Sequence, residues 1–319
     1  MKSILSLVVS ISLVVACLVL GLINGISLDP LQIRTLNILL IICVSSILYC
    51  FVVGEISRNN SQMDKLWSIL PIAYVWVIAV MGGFKWRLLF IAIVVTLWGV
   101  RLTYNFAKKG AYSFKFWSGE EDYRWVYLRK QKPFTNKFIW GIFDFGFISL
   151  FQNVLVLAIT LPALAIMSND ASLSFIDIIA GSIMVLALVY EVIADREQNK
   201  FQVKKYEYLN SGLKLEELPE PYNRGFNVSG LWAFSRHPNY IGEQLIWIGL
   251  YMFILSSGLT HFGVFNWSIV GCLLLILVFI GSSRMAEGIS IKKYSEYKDY
   301  QRQVFKYLPI RKYKIKDIK

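Results

Sequence analysis

Histidine and cysteine are scarce in this sequence, which holds two of the first and four of the second. Two histidines are too few for a histidine-based metal centre. The cysteines lie in apolar runs without a C-x-x-C spacing or a histidine nearby, so we expect free, buried thiols. They are Cys17, Cys43, Cys50 and Cys272. The sequence therefore favours neither a metal site nor a disulfide framework.

Charge is scarce as well. Only 17% of the residues are charged, against about 25% in soluble domains, and the mean hydropathy is +0.52. A G-x-G-x-x-G turn is also absent, which argues against a Rossmann-type dinucleotide site. We therefore predict an all-α, polytopic membrane protein in which residues 1–319 form a single membrane domain.

Long apolar runs are what the sequence has in abundance. About 20 apolar residues are needed to cross a bilayer, and on that basis we predict eight transmembrane helices. The first of the eight is longer than the core of a signal peptide and lacks a small-residue cleavage pattern. The predicted helices cover residues 4–24, 36–56, 67–82, 87–107, 143–167, 173–194, 240–257 and 266–283.

The distribution of lysine and arginine predicts the orientation. With the N-terminus inside, 29 cations fall in the inner segments and three in the outer loops. Such a bias is typical of cytoplasmic segments, so we expect both termini in the cytoplasm. The same bias accounts for most of the net charge of +12. We therefore expect membrane lipids as partners and no nucleic acid, while protein partners stay unknown.

The segment GLWAFSRHPNYIGEQLIWIGLYMF places polar residues at the start of an apolar helix. His237 precedes a proline and is expected to be extended, and Asn239 is expected to cap a helix that begins at Tyr240. Free N–H groups at a helix start, together with Arg236 and His237, are typical of an anion site. Glu243 follows one turn later. The alternative is a helix cap beside an arginine that extends to the membrane surface.

A second polar group lies in the stretch YEVIADREQNKFQVKK. Glu191, Asp195 and Gln198 are spaced four and three residues apart, so they share one face of a helix. Carboxylates at the end of an apolar span are costly and indicate a functional role. Lys200 and Arg196 follow on the same helix and are candidate phosphate ligands. The alternative is an ordinary solvated helix.

Three further clusters lie on the predicted inner side. In GVRLTYNFAKKG, Tyr104 is a candidate donor of a proton to a buried carbonyl group. The loop SGEEDYRWVYLRKQKPF is suited to contact either a nucleotide or lipid head groups. The tail SRMAEGISIKKYSEYKDYQRQVFKYLPI is expected to form an amphipathic helix at the membrane surface, with Arg284 placed to bind a phosphate.

These stretches resemble a known group of membrane enzymes. SRHPNYIGE is similar to the signature of reductases related to steroid 5-alpha-reductase. DKLWSILPIAY, EDYRW, FQNVLVLAITLP and ADREQNKF resemble the bacterial-type branch of that superfamily, a family of unknown function. The resemblance implies that 1–107 form the substrate side, 108–138 a cytoplasmic loop, and 139–319 an NADPH pocket. It also favours the bacterial inner membrane, or the endoplasmic reticulum in a eukaryote.

The resemblance further implies NADPH as cofactor and a reductase that acts on a C=C bond of a lipid-soluble substrate. It assigns cofactor contacts to Asp195, Arg236, His237, Asn239, Tyr240, Glu243 and Arg284. Because NADPH carries several phosphates, Arg196, Lys200, Arg224 and Arg236 are candidate phosphate ligands. Gln198 is a further candidate cofactor contact. Tyr104 and Glu243 are the candidate catalytic residues.

The sequence differs from the steroid reductases in one motif, and two other functions are also compatible with it. Steroid reductases carry a Gln–Glu pair before a proline of an early helix, whereas this chain has LWSIL before Pro71, so a steroid substrate does not follow. Membrane methyltransferases that use S-adenosylmethionine share an RHPxYxG-like stretch. Their cofactor is cationic and lacks phosphates, so Arg196, Lys200, Arg224 and Arg236 together favour the reductase. A non-catalytic lipid binder is the third hypothesis.

Overall fold

The computed structural model describes residues 27–260 and 263–314, together with three isolated positions before them. Within these residues the protein is all-helical, and the extended segments form no strand beyond a single parallel bridge between Ser235 and Phe305. The predicted first span, 4–24, and Cys17 lie outside the described residues. The other three cysteines are buried and form no disulfide among the described residues.

Twelve α-helices and one π-helical segment follow one another along the described chain. They are α1 Pro30–Ser57, α2 Gln62–Leu66, α3 Ile69–Met81, α4 Trp86–Ala107, α5 Tyr123–Arg129, α6 Lys137–Phe143, the π-helical segment Asp144–Phe151, α7 Gln152–Ala158, α8 Leu161–Ile166, α9 Phe175–Asn210, α10 Pro238–Ser256, α11 Val270–Lys293 and α12 Tyr297–Gln303.

Within the described residues, five helical stretches are long and apolar enough to cross a membrane, which is compatible with a multi-pass membrane protein. They are Pro30–Ser57, Trp86–Ala107, Lys137–Ile166, Phe175–Asn210 and Trp267–Lys293, and each contains most of one predicted span. Helix α3, at the predicted span 67–82, has 13 residues and rises only about 20 Å. Helix α10, at 240–257, forms as predicted but is not among the five. The predicted count of eight is therefore not confirmed.

Local sequence explains where α1 begins and ends. Asp29 and Gln32 form a reciprocal capping box, in which each side chain accepts the other residue's backbone N–H, and Pro30 occupies the first helical position, where its missing N–H costs nothing. Arg58 adopts a left-handed conformation with φ of 54° and ends the helix.

The described residues form two compact units. The first contains residues 27–181 and 250–275, and the second contains 182–249 and 276–314. In the first unit the guanidinium of Arg87, at the start of α4, forms a bidentate ion pair with Asp177, at the start of α9. Both side chains are buried, so this pair joins two helix starts inside the first unit.

Candidate functional site

In the second unit, a tight turn before α10 is anchored on α9. Gly230 begins a 3₁₀ turn, the N–H of Leu231 donates to the Glu197 carboxylate over 2.8 Å, and the indole N–H of Trp232 donates to the Ala194 carbonyl over 3.0 Å. Gly230 has φ of +59°, and a Cβ there would come within 2.1 Å of the Glu197 carboxylate. Only glycine fits this approach, which sets the SRHPNY segment against α9.

The helix after this turn begins two residues earlier than the sequence predicted. Helix α10 starts at Pro238, not at Tyr240, because proline is preorganised for the first helical position. Asn239 therefore lies inside the first turn rather than capping it. Its side-chain carbonyl oxygen is buried and has no hydrogen-bond partner among the described residues.

The start of α10 lies beside the middle of α9. Gly242 is in close contact with α9, since a Cβ there would be 3.0 Å from the Cβ of Glu191. Glu191 and Glu243 are both buried in this region, each less than 10% exposed. The absence of a side chain at Gly242 therefore allows two helices that carry buried carboxylates to approach closely.

Glu287 on α11 connects the SRHPNY segment to the C-terminal tail. Its carboxylate accepts hydrogen bonds from Arg236 Nε at 2.8 Å, from His237 Nε2 at 3.0 Å and from Gln301 Nε2 at 2.7 Å. Arg236 Nη1 also donates to the backbone carbonyls of Gln301 and Val304. The predicted phosphate ligand Arg236 thus points inward and has a carboxylate partner of its own.

Backbone pairing holds the tail against the same segment. The N–H groups of Arg236 and His237 donate to the carbonyls of Phe305 and Lys306 over 3.1 and 3.0 Å. The expected continuous amphipathic surface helix is wrong for the tail, because α11 ends at Lys293 and the short α12 follows. The reason is aromatic burial: tail tyrosines join Phe226 and Val228 in one apolar cluster. They are Tyr297, Tyr300 and Tyr313.

His237 is buried between these elements. Its ring stacks on Tyr240 with centroids 5.0 Å apart and an interplanar angle of 20°. Burial lowers the pKa of His237, against the opposing effect of the hydrogen bond to Glu287, and the nearby cations Arg236 and Lys306 lower it further. The imidazole is therefore predominantly neutral at pH 7.

A pH dependence of stability follows. Because the pKa of His237 is lower in the folded protein than in the unfolded chain, the unfolded chain takes up this proton first as the pH falls below about 6.5. We expect the melting temperature of the detergent-purified protein to fall between pH 7.5 and pH 5.5, and to fall less in His237→Gln. Equal decreases in both proteins would contradict a neutral, buried imidazole.

Two cations near Glu287 have no carboxylate partner within the described residues. Lys306 is half-buried and Arg284 is exposed, and neither forms an ion pair with a described carboxylate. Burial lowers the pKa of Lys306, Glu287 raises it, and Arg236 and Arg284 lower it again. Glu287, Arg236, Arg284 and Lys306 together carry two positive charges in excess, before the buried Glu191 and Glu243 at the start of α10 are counted.

The predicted polar face of α9 lies on one continuous helix of 36 residues. Asp195 and Gln198 are partly buried, whereas Arg196 and Lys200 are exposed. The side-chain oxygen of Gln198 and the hydroxyl of Tyr190 are buried without a hydrogen-bond partner in the described part of the chain. The cluster thus holds amide and phenol oxygens that are available to a ligand.

Two predicted site residues lie in other surroundings. Arg224 is 6% exposed and is paired with Glu220 and Glu296, so its charge is neutralised within the protein. Tyr104 belongs to the first unit, where it is exposed and Lys108 Nζ lies 4.4 Å from its ring centroid. Their predicted roles as phosphate ligand and proton donor stay predictions.

Two family-like motifs meet in the first unit. Asp64 of DKLW accepts hydrogen bonds from Trp125 Nε1 at 2.6 Å and from Arg124 of EDYRW at 3.2 Å. Burial raises the pKa of Asp64. Burial also tends to raise the pKa of Asp122. The charge and hydrogen bonds of Arg124 outweigh that effect, so the pKa of Asp122 is lowered. The two motifs are therefore structural partners of each other. The Trp125 ring is buried at their contact.

Three further residues of this region are not singled out by the sequence: Glu197, Glu287 and Lys306. Glu287 carries a signal that was available, since it is the only carboxylate between Trp267 and Lys292. A lone carboxylate in an apolar helix needs a buried partner or a function. Glu197 and Lys306 stand among other charged residues, so nothing in the sequence distinguishes them.

Comparisons with known proteins identify the group but no activity. The family model described as a protein of unknown function (DUF1295) matches residues 50–304. A Schizosaccharomyces pombe protein described as uncharacterized is 34% identical over 293 residues, which cover 83% of this chain and 79% of that protein. No solved structure matches this chain.

Proposed function

Since this chain belongs to the DUF1295 family of proteins of unknown function, we propose its function from its own residues. The proposed function is that of an NADPH-dependent membrane oxidoreductase, related to steroid 5-alpha-reductase, that reduces a C=C bond of a lipid-soluble substrate. We also propose that both termini face the cytoplasm.

The observation that carries the proposal is the charge around Glu287. One carboxylate stands among Arg236, Arg284 and Lys306, beside the N-terminus of a 19-residue helix. Free N–H groups and cations at a helix start favour an anion. The excess of positive charge supports a phosphorylated ligand and disfavours the cationic S-adenosylmethionine.

Buried oxygens near the start of α10 support a ligand that also donates hydrogen bonds. The side-chain oxygens of Asn239 and Gln198 have no partner among the described residues, and unsatisfied buried acceptors call for an explanation. NADPH has amide and hydroxyl donors as well as phosphates, so these residues fit it.

The residues divide into three roles in this proposal. Arg284, Lys306, Arg196 and Lys200 would bind phosphates, since Arg236 and Arg224 are neutralised by carboxylates. Asn239, Gln198, Asp195 and Tyr240 would orient the cofactor, while His237 holds the segment in place through Glu287. NADPH supplies a hydride when bound. Glu243 is the proposed catalytic residue of this unit, and Tyr104 of the first unit stays a candidate proton donor.

Ligand-dependent thermal stability tests the proposal. We expect NADPH to stabilise the detergent-purified protein, by about 2.7 kcal/mol at a hundredfold excess over its dissociation constant. S-adenosylmethionine is expected to have no effect. The double variant Arg284→Gln/Lys306→Gln should weaken NADPH binding at least about tenfold, because two charged contacts to phosphate are lost.

The control for this test is Lys204→Gln. Lys204 is an exposed lysine of α9 that pairs with Glu207, so its loss should leave the NADPH effect unchanged. A shift with S-adenosylmethionine alone would favour the methyltransferase. No shift with either ligand would favour the non-catalytic lipid binder, and a full shift in the double variant would remove Arg284 and Lys306 from the site.

A further inference from the structure

The chain between α4 and α5 exposes large aromatic side chains. We refer to residues 113–117 as the aromatic loop; its sequence is SFKFW. The side chain of Phe114 is fully exposed, and that of Trp117 is 50% exposed. Single exposed apolar residues are ordinary on protein surfaces. The aromatic loop therefore carries information only if its conformation is fixed.

Three buried side chains fix this conformation. They donate to four successive backbone carbonyls, those of residues 116–119. Lys65 Nζ donates to the first and the third over 2.7 Å each, Gln62 Nε2 to the second over 2.9 Å, and Asn59 Nδ2 to the fourth over 3.0 Å. The three donors are at most 8% exposed. Because a buried donor that loses its acceptor is costly, the aromatic loop is an ordered element.

A ring contact places the aromatic loop beside the apolar part of α1. The centroids of Phe116 and Tyr49 lie 6.4 Å apart. Tyr49 precedes the end of α1 at Ser57 by eight residues, which is about 12 Å along the helix. Val52 and Ile56, between Tyr49 and that end, are still exposed apolar residues. The aromatic loop therefore lies level with the apolar surface of α1 and not beyond its end.

Positive charge surrounds the exposed rings. The stretch 108–120 contains three exposed lysines and one exposed carboxylate, Glu120, so that its net charge is +2. The next two carboxylates along the chain are each paired with an arginine, so they do not offset this excess. The three lysines are Lys108, Lys109 and Lys115.

These properties together fit the surface of a membrane. Aromatic rings favour the layer between hydrocarbon and head groups, and lysines at that level are attracted to anionic lipids. Helix α1 is long and apolar enough to cross a membrane, so its apolar surface gives the level of that layer. We propose that the aromatic loop inserts Phe114 and Trp117 into the membrane surface and binds the head group of an anionic phospholipid through Lys108, Lys109 and Lys115.

Photocrosslinking from position 114 tests this proposal. p-Benzoylphenylalanine takes the place of Phe114 in the full-length protein, which is placed in nanodiscs with equal amounts of phosphatidylglycerol and phosphatidylcholine. We expect irradiation to attach phospholipid to the protein. Attached phosphatidylglycerol should exceed phosphatidylcholine at least about fivefold, the ratio that one lysine near an anionic surface provides. Mass spectrometry of the intact protein measures both quantities.

A second position provides the control for insertion. Leu213 is an apolar residue that is 39% exposed, in the turn after the end of α9 at Asn210. The same photoreactive residue at position 213 should attach little lipid, since this turn lies far along α9 from the apolar part of that helix. Phe114 is fully exposed, so its replacement should leave the melting temperature unchanged.

Lysine variants connect the lipid preference to the charge. With the photoreactive residue at position 114, Lys109→Gln/Lys115→Gln should still attach lipid but lose most of the excess of phosphatidylglycerol. Lys204→Gln/Lys214→Gln removes two exposed lysines of the second unit, and this control should keep the excess.

Three outcomes would overturn the proposal. The first is equal attachment of lipid at positions 114 and 213. The second is crosslinking of position 114 to another copy of the chain in place of lipid, which would make the aromatic loop a protein interface. The third is an unchanged excess of phosphatidylglycerol in Lys109→Gln/Lys115→Gln. None of these results depends on NADPH, so a failure here is distinguishable from a failure of the proposed reductase.

Discussion

Replacement of Glu287 by glutamine is expected to lower the free energy of unfolding by about 3–5 kcal/mol, the usual cost of removing one partner from a buried ion pair. The carboxylate is 6% exposed and accepts hydrogen bonds from Arg236, His237 and Gln301. Glutamine has the same shape but no charge, so the Arg236 guanidinium would stay buried without a counter-charge. Thermal unfolding in detergent at pH 7.5 should show a decrease on the order of 10 °C.

Glu207→Gln is the matched control for this prediction. Glu207 forms an ion pair with Lys204 in which both side chains are about half exposed, and exposed pairs contribute at most about 1 kcal/mol. A second variant, Arg236→Met/Glu287→Met, should recover part of the lost stability, because removing both charges avoids an unpaired one. If Glu287→Gln and Glu207→Gln unfolded at the same temperature, the carboxylate would not hold the tail in place.

Replacement of Arg87 by methionine should destabilise the first unit by a similar amount, about 3–5 kcal/mol. Arg87 donates to both oxygens of Asp177, at 3.0 and 2.8 Å, and to the carbonyls of Ala171 and Ser172. In the variant, Asp177 would keep its hydrogen bond from the Ser174 N–H but lose its counter-charge. The melting temperature in detergent is the measurement.

The chain provides a control two residues away. Lys85 pairs with Asp170 at 2.8 Å, but the side chains are 32% and 83% exposed. Lys85→Met therefore removes a cation and an ion pair from the same helix start with an expected cost of at most about 1 kcal/mol. Equal effects of Arg87→Met and Lys85→Met would show that burial does not determine the strength of these pairs.

Local patterns were sufficient for most helices. Apolar runs about 20 residues long predicted the helices that start at Pro30, Trp86 and Phe175, because hydropathy and length are properties of a continuous segment. The spacing of Asp195 and Gln198 predicted a shared helical face for the same reason. The start of α10 was misplaced by two residues because asparagine and proline both favour helix starts, and the proline was decisive here.

The tail shows where local patterns were insufficient. A basic, tyrosine-rich stretch has the composition of a surface helix, yet Tyr297, Tyr300 and Tyr313 are buried. Composition does not reveal that Phe226 and Val228 approach them from a loop some 70 residues earlier. The tyrosine rings of the tail pack against Phe226 and Val228. Helix α11 ends at Lys293, and the chain turns there towards this cluster.

The sequence by itself determined that this protein is helical, apolar and rich in polar residues at particular helix starts, since these properties depend on neighbours within one or two turns. Only the tertiary structure decided which polar groups satisfy one another. It pairs Arg236 with Glu287, 51 residues away, and leaves the side-chain oxygen of Asn239 without a partner among the described residues. Hydrogen bonds require atoms within about 3 Å, and that proximity arises only when distant helices come together.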